Sequence, residues 1–366
     1  MVSNEADELF RPVTLGRAQL GNRIVMSPMT RGRTPGGVPN EFNAEYYRQR
    51  ASAGLIIAES TAITPMAVGF ANSPNLFDAE HVAAWKRVTD AVHVRGGTVF
   101  LQLWHCGRNS HPSLLPGEVL PIGPSATPPN RSMRMSSGRL PPVTPRALEI
   151  GEMPGLVDEY RQASKQAMAA GFDGIEVHAA NGYLLDQFLR DCTNRRTDRY
   201  GGSPENRRRL LLEVVEAVSQ VWGEDRVGVR ISPTNRAGYE MTDSDPQPLF
   251  NCVVDGLQAL GIAFIDVVEG ETTDYPVEVP FDYGELRARF GGAYIANNRF
   301  TLESGNAAIR EGRADLVAFG RSFIANPDLV ERFRLRAPLN ELDREAMFMQ
   351  GERGYLDYPV LGSVSS

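Results

Sequence analysis

Within six positions the chain carries His178, Asn181 and Tyr183, inside the run GIEVHAANGYLLDQFL from Gly174 to Leu189. An imidazole and a carboxamide each present an N–H donor, and a phenol is a weak acid. Two such donors beside one proton source suit a carbonyl that gains negative charge while a neighbouring carbon gains a proton. The same residues also read as a strand end with a satisfied histidine and a helix-capping asparagine. Position in a fold decides between the two.

What must position them is a set of short β-rich runs alternating with helical patterns. Strands are expected at Arg23–Pro28, Leu55–Ala58, Thr98–Leu103, Gly174–His178, Val227–Ser232, Phe264–Val268, Ala293–Ala296 and Leu316–Gly320. Apolar residues recur at helical spacing over Phe42–Ser52, His81–Val94, Val157–Ala170, Pro204–Val221, Gln247–Leu260, Thr301–Glu311 and Pro327–Arg334, with a shorter helix at Tyr283–Phe290. Ser203 is expected to cap the helix that opens with Pro204. Parallel strands need crossovers, and eight strand–helix units fit a closed α/β barrel, the (β/α)₈ TIM barrel, better than an open sheet. Thr14–Leu20 reads as an N-terminal hairpin that plugs the barrel's bottom. The Pro/Gly/Ser-rich stretch Gly107–Pro154 reads as a long loop after strand three, serving as a lid or pocket wall. No linker is evident, so residues 1–366 read as one domain.

Chemistry in such a barrel sits at the C-terminal ends of the strands. Those ends carry Pro28, Met29 and Thr30; Ala58; Gln102 and Trp104; His178, Asn181 and Tyr183; Arg230; Asn297 and Asn298; Gly320 and Arg321. Arg230, between Val229 and Ile231, needs a partner: either a structural ion pair or an anionic cofactor ring. Gly320 followed by Arg321 offers a backbone N–H and a guanidinium to a phosphate monoester, at the place where barrels often bind one.

Other classes are disfavoured. The chain is 42% hydrophobic and carries a net charge of −7, a poor match to nucleic acid or anionic membranes. The N-terminus MVSNEADELF lacks the basic and apolar regions of a secretory signal, and no apolar run is long enough to cross a bilayer. Cys106, Cys192 and Cys252 read as reduced thiols in a cytoplasmic protein. His105, Cys106 and His111 match no zinc spacing, so no metal is expected. G-x-G-x-x-G after a strand, the P-loop pattern and G-x-S-x-G are all missing, which removes a dedicated Rossmann site, a P-loop site and the simplest hydrolase.

Longer stretches carry a resemblance. NRIVMSPMTRGR from Asn22, AEYYRQRASAGLIIAE from Ala44, LQLWHCGR from Leu101, HAANGYLLDQFL from His178, TDRYGGSPENRRR from Thr197, VAFGRSFIANPDLV from Val317 and GYLDYP from Gly354 together resemble the Old Yellow Enzyme family of FMN-dependent ene-reductases, over essentially the whole chain. The resemblance implies non-covalent FMN at the barrel mouth and NADPH or NADH as hydride donor. It places Pro28, Met29 and Thr30 along the flavin, with Ala58 and Gln102 on its pyrimidine side and Arg230 near N1 and C2=O. Gly320, Arg321 and the Asn297–Asn298 loop would hold the phosphate. His178 and Asn181 would grip the substrate's carbonyl or nitro oxygen, Tyr183 would supply the proton, and Thr30, Trp104 and Tyr355 would shape the pocket. The implied reaction is reduction of an activated C=C bond, in an enone or nitroalkene, by a monomer or homodimer. Its competitors are a flavin dehydrogenase or desaturase running oxidatively, a nitro or nitrate-ester reductase, a non-catalytic flavin binder and a cofactor-free lyase. Two places depart from the family's pattern: Ala296–Asn297–Asn298–Arg299, where small residues are usual, and Phe348–Met349–Gln350, where an aromatic–Gly–Gly pattern is common.

Overall fold

A computed structural model describes residues 7–135, 138–236, 241–272 and 279–362. Residues 1–6 of the acidic N-terminal stretch and 136–137 of the long loop lie outside it. Eight parallel strands close into a barrel in chain order: β1 (Ile24–Met26), β2 (Leu55–Ala62), β3 (Val99–Trp104), β4 (Gly174–Ala179), β5 (Val227–Ile231), β6 (Phe264–Val268), β7 (Ala293–Asn297) and β8 (Leu316–Phe319), with β8 pairing back onto β1. Crossover helices follow each strand, as expected for parallel pairing. Ser203 accepts the cap hydrogen bond from Asn206 N–H, but the helix expected over Pro204–Val221 is divided at Arg208 into Pro204–Arg207 and Arg209–Trp222. The short helices Leu184–Leu189 and Arg321–Ala325, too brief to show a period, sit directly after β4 and β8.

Strand periodicity of two stacks the barrel interior in layers. The lower layer is apolar: Val25, Ile57, Phe100, Phe264, Ile295 and Leu316 lie in one buried cluster. Gly174 and Gly228 take the matching positions on β4 and β5, and a Cβ on either would strike a ring, Phe100 at 2.4 Å and Phe264 at 2.1 Å. The missing side chains make room for those two aromatics to fill the bore. The hairpin of Val13–Leu15 and Ala18–Leu20 contributes Leu15 and Leu20 to this same cluster.

The stretch after β3 is more ordered than its composition indicates. Ile122–Gly123 pairs in parallel with Arg146–Ala147, and Met133–Met135 forms a hairpin with Gly138–Leu140. Two- and three-residue strands are too short to leave an alternation in the sequence.

Candidate active site

Two residues above the apolar layer, the same strands turn polar. Ser27, Gln102, Glu176, Arg230, Asp266 and Asn297 are all buried, and they form one hydrogen-bonded floor. Arg230 Nη1 donates to Asp266 Oδ2 at 2.6 Å and to Ser27 Oγ at 3.1 Å, while Asn297 Nδ2 donates to Ser27 Oγ at 2.9 Å. On the other side Ser60 Oγ donates to Gln102 Oε1, and Gln102 Nε2 donates to Glu176 Oε1 at 2.6 Å. Ser60 reaches the interior because the β2–β3 register shifts between Ala58 and Thr61. A bulge of this kind re-aims side chains, and Glu59 faces outward instead, accepting from Arg31 N–H at 3.1 Å and Tyr47 Oη at 3.3 Å. Of the two roles open to Arg230, the ion pair is therefore present, with Asp266.

The next layer up is the mouth, where Trp104 and His178 follow Gln102 and Glu176. Burial, followed by the charge of Arg230, holds the His178 imidazole well below its ordinary pKa, so it is neutral at physiological pH. Its Nδ1 is buried with no partner among the described residues, and so is Trp104 Nε1. Tyr183 packs edge-on against Trp104 with ring centroids 4.9 Å apart, and lies 5.2 Å from the His178 ring. Phe70 completes this aromatic wall, 5.5 Å from Trp104.

The loop from β4 to Leu184 holds Asn181 at a φ of 59° and Gly182 at 81°, a left-handed turn for which asparagine and glycine are suited. Many bonds clamp it. Asn181 N–H donates to Ser232 Oγ at 2.8 Å, Gly182 N–H to Asp186 at 2.9 Å, and Gly182 C=O accepts from Asn109 and Gln187 at 2.7 and 2.8 Å. Asp186 pairs with Arg190 at 2.8 Å, and both are buried. The amide orientation of Asn181 follows from a chain of donors. Thr272 N–H, which can only donate, meets Asn235 Oδ1 at 3.2 Å; Asn235 Nδ2 therefore donates to Asn181 Oδ1 at 2.7 Å. Asn181 is left presenting its NH₂.

At the ends of β7 and β8 the picture differs in part from expectation. The Asn297 carboxamide is spent on Ser27, and Asn298 Nδ2 donates to the carbonyls of Glu269 and Glu271 at 2.8 and 3.0 Å. A phosphate contact from this loop falls to backbone N–H groups, with Asn298 at φ 102° and Arg299 at 59°, where glycine is usual. Arg321 is exposed and donates to Thr272 C=O at 3.1 Å. Gly320 lies so close to β1 that a Cβ would meet Met29 Sδ at 3.3 Å. Pro28, Met29 and Thr30 are half-buried beside it, and Ala58 is fully buried.

Tyr355 is fully buried, stacked on Tyr46 at 4.1 Å, and its hydroxyl accepts from Asn43 at 3.0 Å. Arg31 and Arg33 cause this, because they bind the carbonyls of Gly354 and Arg353 at 2.7 and 2.9 Å and draw the GYLDYP segment inward. In the second departure, Phe348 and Met349 are exposed.

The residues present fit a flavin mononucleotide. Partnerless buried nitrogens on His178 and Trp104 face the demands of a ligand. Gly320 leaves room beside Met29, and the guanidinium groups of Arg299 and Arg321 follow β7 and β8, where a phosphate dianion needs them. Among the described residues no three His, Cys, Asp or Glu side chains form a metal-binding group. Sequence reasoning missed Glu176, Asp266, Ser232, Asn235 and Thr272. Glu176 and Asp266 left a signal, since each is a charge inside an otherwise apolar strand; the loop residues left none.

Residues 8–340 match the NADH:flavin oxidoreductase / NADH oxidase family. The chain is 42% identical to 12-oxophytodienoate reductase 2 of Arabidopsis thaliana, covering 100% of each protein, and 43% identical to 12-oxophytodienoate reductase 7 of Oryza sativa subsp. japonica, covering 98% of this chain and 96% of that one. Morphinone reductase in complex with tetrahydroNAD superposes with a TM-score of 0.91 at 45% identity over 96% of this chain and 97% of its own. An Old Yellow Enzyme homologue from Zymomonas mobilis gives 0.94 at 42% identity over 97% and 100%.

Proposed function

The chain belongs to the NADH:flavin oxidoreductase / NADH oxidase family of Old Yellow Enzyme homologues, and on that premise we propose that it reduces activated C=C bonds with electrons from a reduced nicotinamide. FMN, when bound, would supply two-electron hydride chemistry between a reduced nicotinamide, NADPH or NADH, and the alkene. The chain's own residues do the rest. His178, kept neutral by its burial, and Asn181, with its NH₂ presented by Asn235, donate to the carbonyl or nitro oxygen as negative charge grows there. Tyr183 gives its phenolic proton to the α-carbon, and Trp104 sets the ring's angle. Pro28, Met29, Thr30, Ala58, Gln102, Arg230, Gly320 and Arg321 would seat the cofactor, with Asn297 and Asn298 supporting it through the bonds given above. The polar floor shields this site from the apolar core below. The plant reductases and morphinone reductase bear names of carbonyl-conjugated reductases, which supports an enone as the substrate class here.

The observation that carries this proposal is the mouth itself: a neutral imidazole, an oriented carboxamide and a phenol follow one strand end, above a buried guanidinium on the next strand. The test is turnover. NADPH or NADH consumption should depend on added cyclohexenone, and cyclohexanone should not drive reduction of NADP⁺ or NAD⁺ at a comparable rate. Faster oxidation than reduction would assign the chain to the desaturase direction instead.

A further inference from the structure

Two carboxyl groups and one guanidinium share the polar floor. Asp266 is held by Arg230 at 2.6 Å, and Glu176 Oε1 accepts from Gln102. Glu176 Oε2 and Asp266 Oδ1 are both buried without a hydrogen-bond partner among the described residues. The two carboxyls sit in the same floor, on the strands to either side of the one that carries Arg230, and each feels the other. Two carboxylates hold no proton with which to give those orphaned oxygens a partner; a carboxylic acid beside a carboxylate does. Charge leads to the same place. Two ionised carboxylates against one guanidinium would leave a net negative charge in a water-poor interior, and like charges in contact do not both ionise there. Of the titratable side chains in the mouth above this floor, His178 is neutral and Tyr183 is a phenol, so neither brings a compensating positive charge.

We propose that Glu176 is a positioning residue that stays a neutral carboxylic acid, donating its proton from Oε2 to Asp266 Oδ1 and so fixing the Gln102 amide and the Arg230 guanidinium beneath the flavin. Asp266 keeps the charge because Arg230 touches it directly. Burial, with the neighbouring Asp266 charge, pushes the Glu176 carboxyl well above the usual carboxylate range, in the sense the geometry requires. The cluster of Glu176, Asp266 and Arg230 is then electrically neutral. An ionised Glu176 would add a negative charge below the cofactor and oppose its reduction.

Glutamine at this position keeps both hydrogen bonds and the neutrality, so E176Q separates the proton from the shape. The experiment compares infrared spectra of the purified protein and E176Q in H₂O and D₂O, together with FMN affinity and reduction potential. In parent-minus-E176Q difference spectra at pH 8, above the Glu59 value of about 7, the parent should show the carbonyl stretch of a buried carboxylic acid, shifting in D₂O, that E176Q lacks. E176Q should hold its FMN dissociation constant within about threefold and leave the potential unchanged, while E176A, which strands Gln102 and Asp266, should weaken FMN about tenfold. D266N should abolish the same band with Glu176 still present, because Arg230 then takes its counter-charge from Glu176. A parent without the acid band, a band that survives in D266N, a positive shift of potential in E176Q, or E176A binding FMN as the parent does would each overturn the proposal. D266N decides the matter if E176Q does not fold. The band is read with or without FMN bound, so failure of the shared proton is distinguished from failure to bind a flavin.

Discussion

Asn235 offers the sharpest test of how the oxyanion grip is built. The backbone of Asn181 is fixed by Ser232, but the direction of its carboxamide rests on Asn235 Nδ2 at 2.7 Å, which Thr272 in turn orients. Asn235→Ala deletes that donor and leaves the Asn181 amide free to present oxygen where NH₂ is needed. A neutral buried hydrogen bond contributes about 1 kcal/mol, within roughly 0.5–1.5 kcal/mol, which corresponds to about a fivefold change in affinity. The assay is titration of the oxidised flavoprotein with a phenol, followed by its charge-transfer absorbance. The dissociation constant for the phenol should rise about fivefold, with FMN affinity unchanged, on this same accounting. Asn235→Asp should do worse, since it sets one oxygen against another. A double-mutant cycle identifies the route: in an Asn181→Ala background the Asn235→Ala change should cost nothing further. Additive losses, or an unaltered phenol affinity in the single variant, would refute the idea that Asn235 acts through Asn181.

Tyr183→Phe keeps the ring's contact with Trp104 and removes only the acid; the enone-dependent reoxidation step should slow by about 10²–10⁴ while flavin reduction by NADPH keeps its rate, as rapid mixing of each half-reaction will show. His178→Ala removes one of two donors to the substrate oxygen, with an expected loss of about 10²–10³ in kcat and weaker phenol binding; equal kcat in steady-state assays would remove His178 from the grip. Burial raises Glu59 from an ordinary 4.5 to about 7, against the pull of the Arg31 N–H. The folded protein holds that proton between these two values and the unfolded chain does not, so this stability is complete below about pH 4.5 and lost as pH rises through about 7. Glu59→Gln should therefore gain on the parent between pH 5 and 8, by on the order of 3 kcal/mol in chemical denaturation, and a difference independent of pH would contradict it. His105 runs the other way. Burial lowers it to about 3, and the unfolded chain protonates near 6.5, so stability should fall on acidification between those values, at up to about 1.4 kcal/mol per pH unit in the same experiment.

The barrel was legible because every strand is a short apolar run bounded by a helical pattern, and parallel pairing leaves few alternatives. His178, Asn181 and Tyr183 were legible for a related reason: polar residues crowd the end of a strand whose core is apolar. Their supports were not. Asn235 and Thr272 meet Asn181 only after two loops from different strands converge, and nothing in local spacing records that. Ser60 replaced Glu59 in the interior because a β2 bulge reversed the alternation, a shift that one extra residue in a strand hides from any period. The packing of Tyr355 was hidden for a third reason. Its place is set by Arg31 and Arg33 gripping carbonyls more than 300 positions away, and buried arginine clamps look in sequence like surface charge.

Central to the proposed function is that this barrel carries electrons from a reduced nicotinamide to an activated alkene through a flavin at its mouth. The measurement that meets it most directly is an anaerobic visible spectrum of the purified protein, taken alone, after NADPH or NADH, and after cyclohexenone. Flavin bands that bleach with the nicotinamide and return with the enone are the predicted result. Bands that bleach and return only when oxygen is admitted, or a protein that takes up no FMN at all, would contradict it.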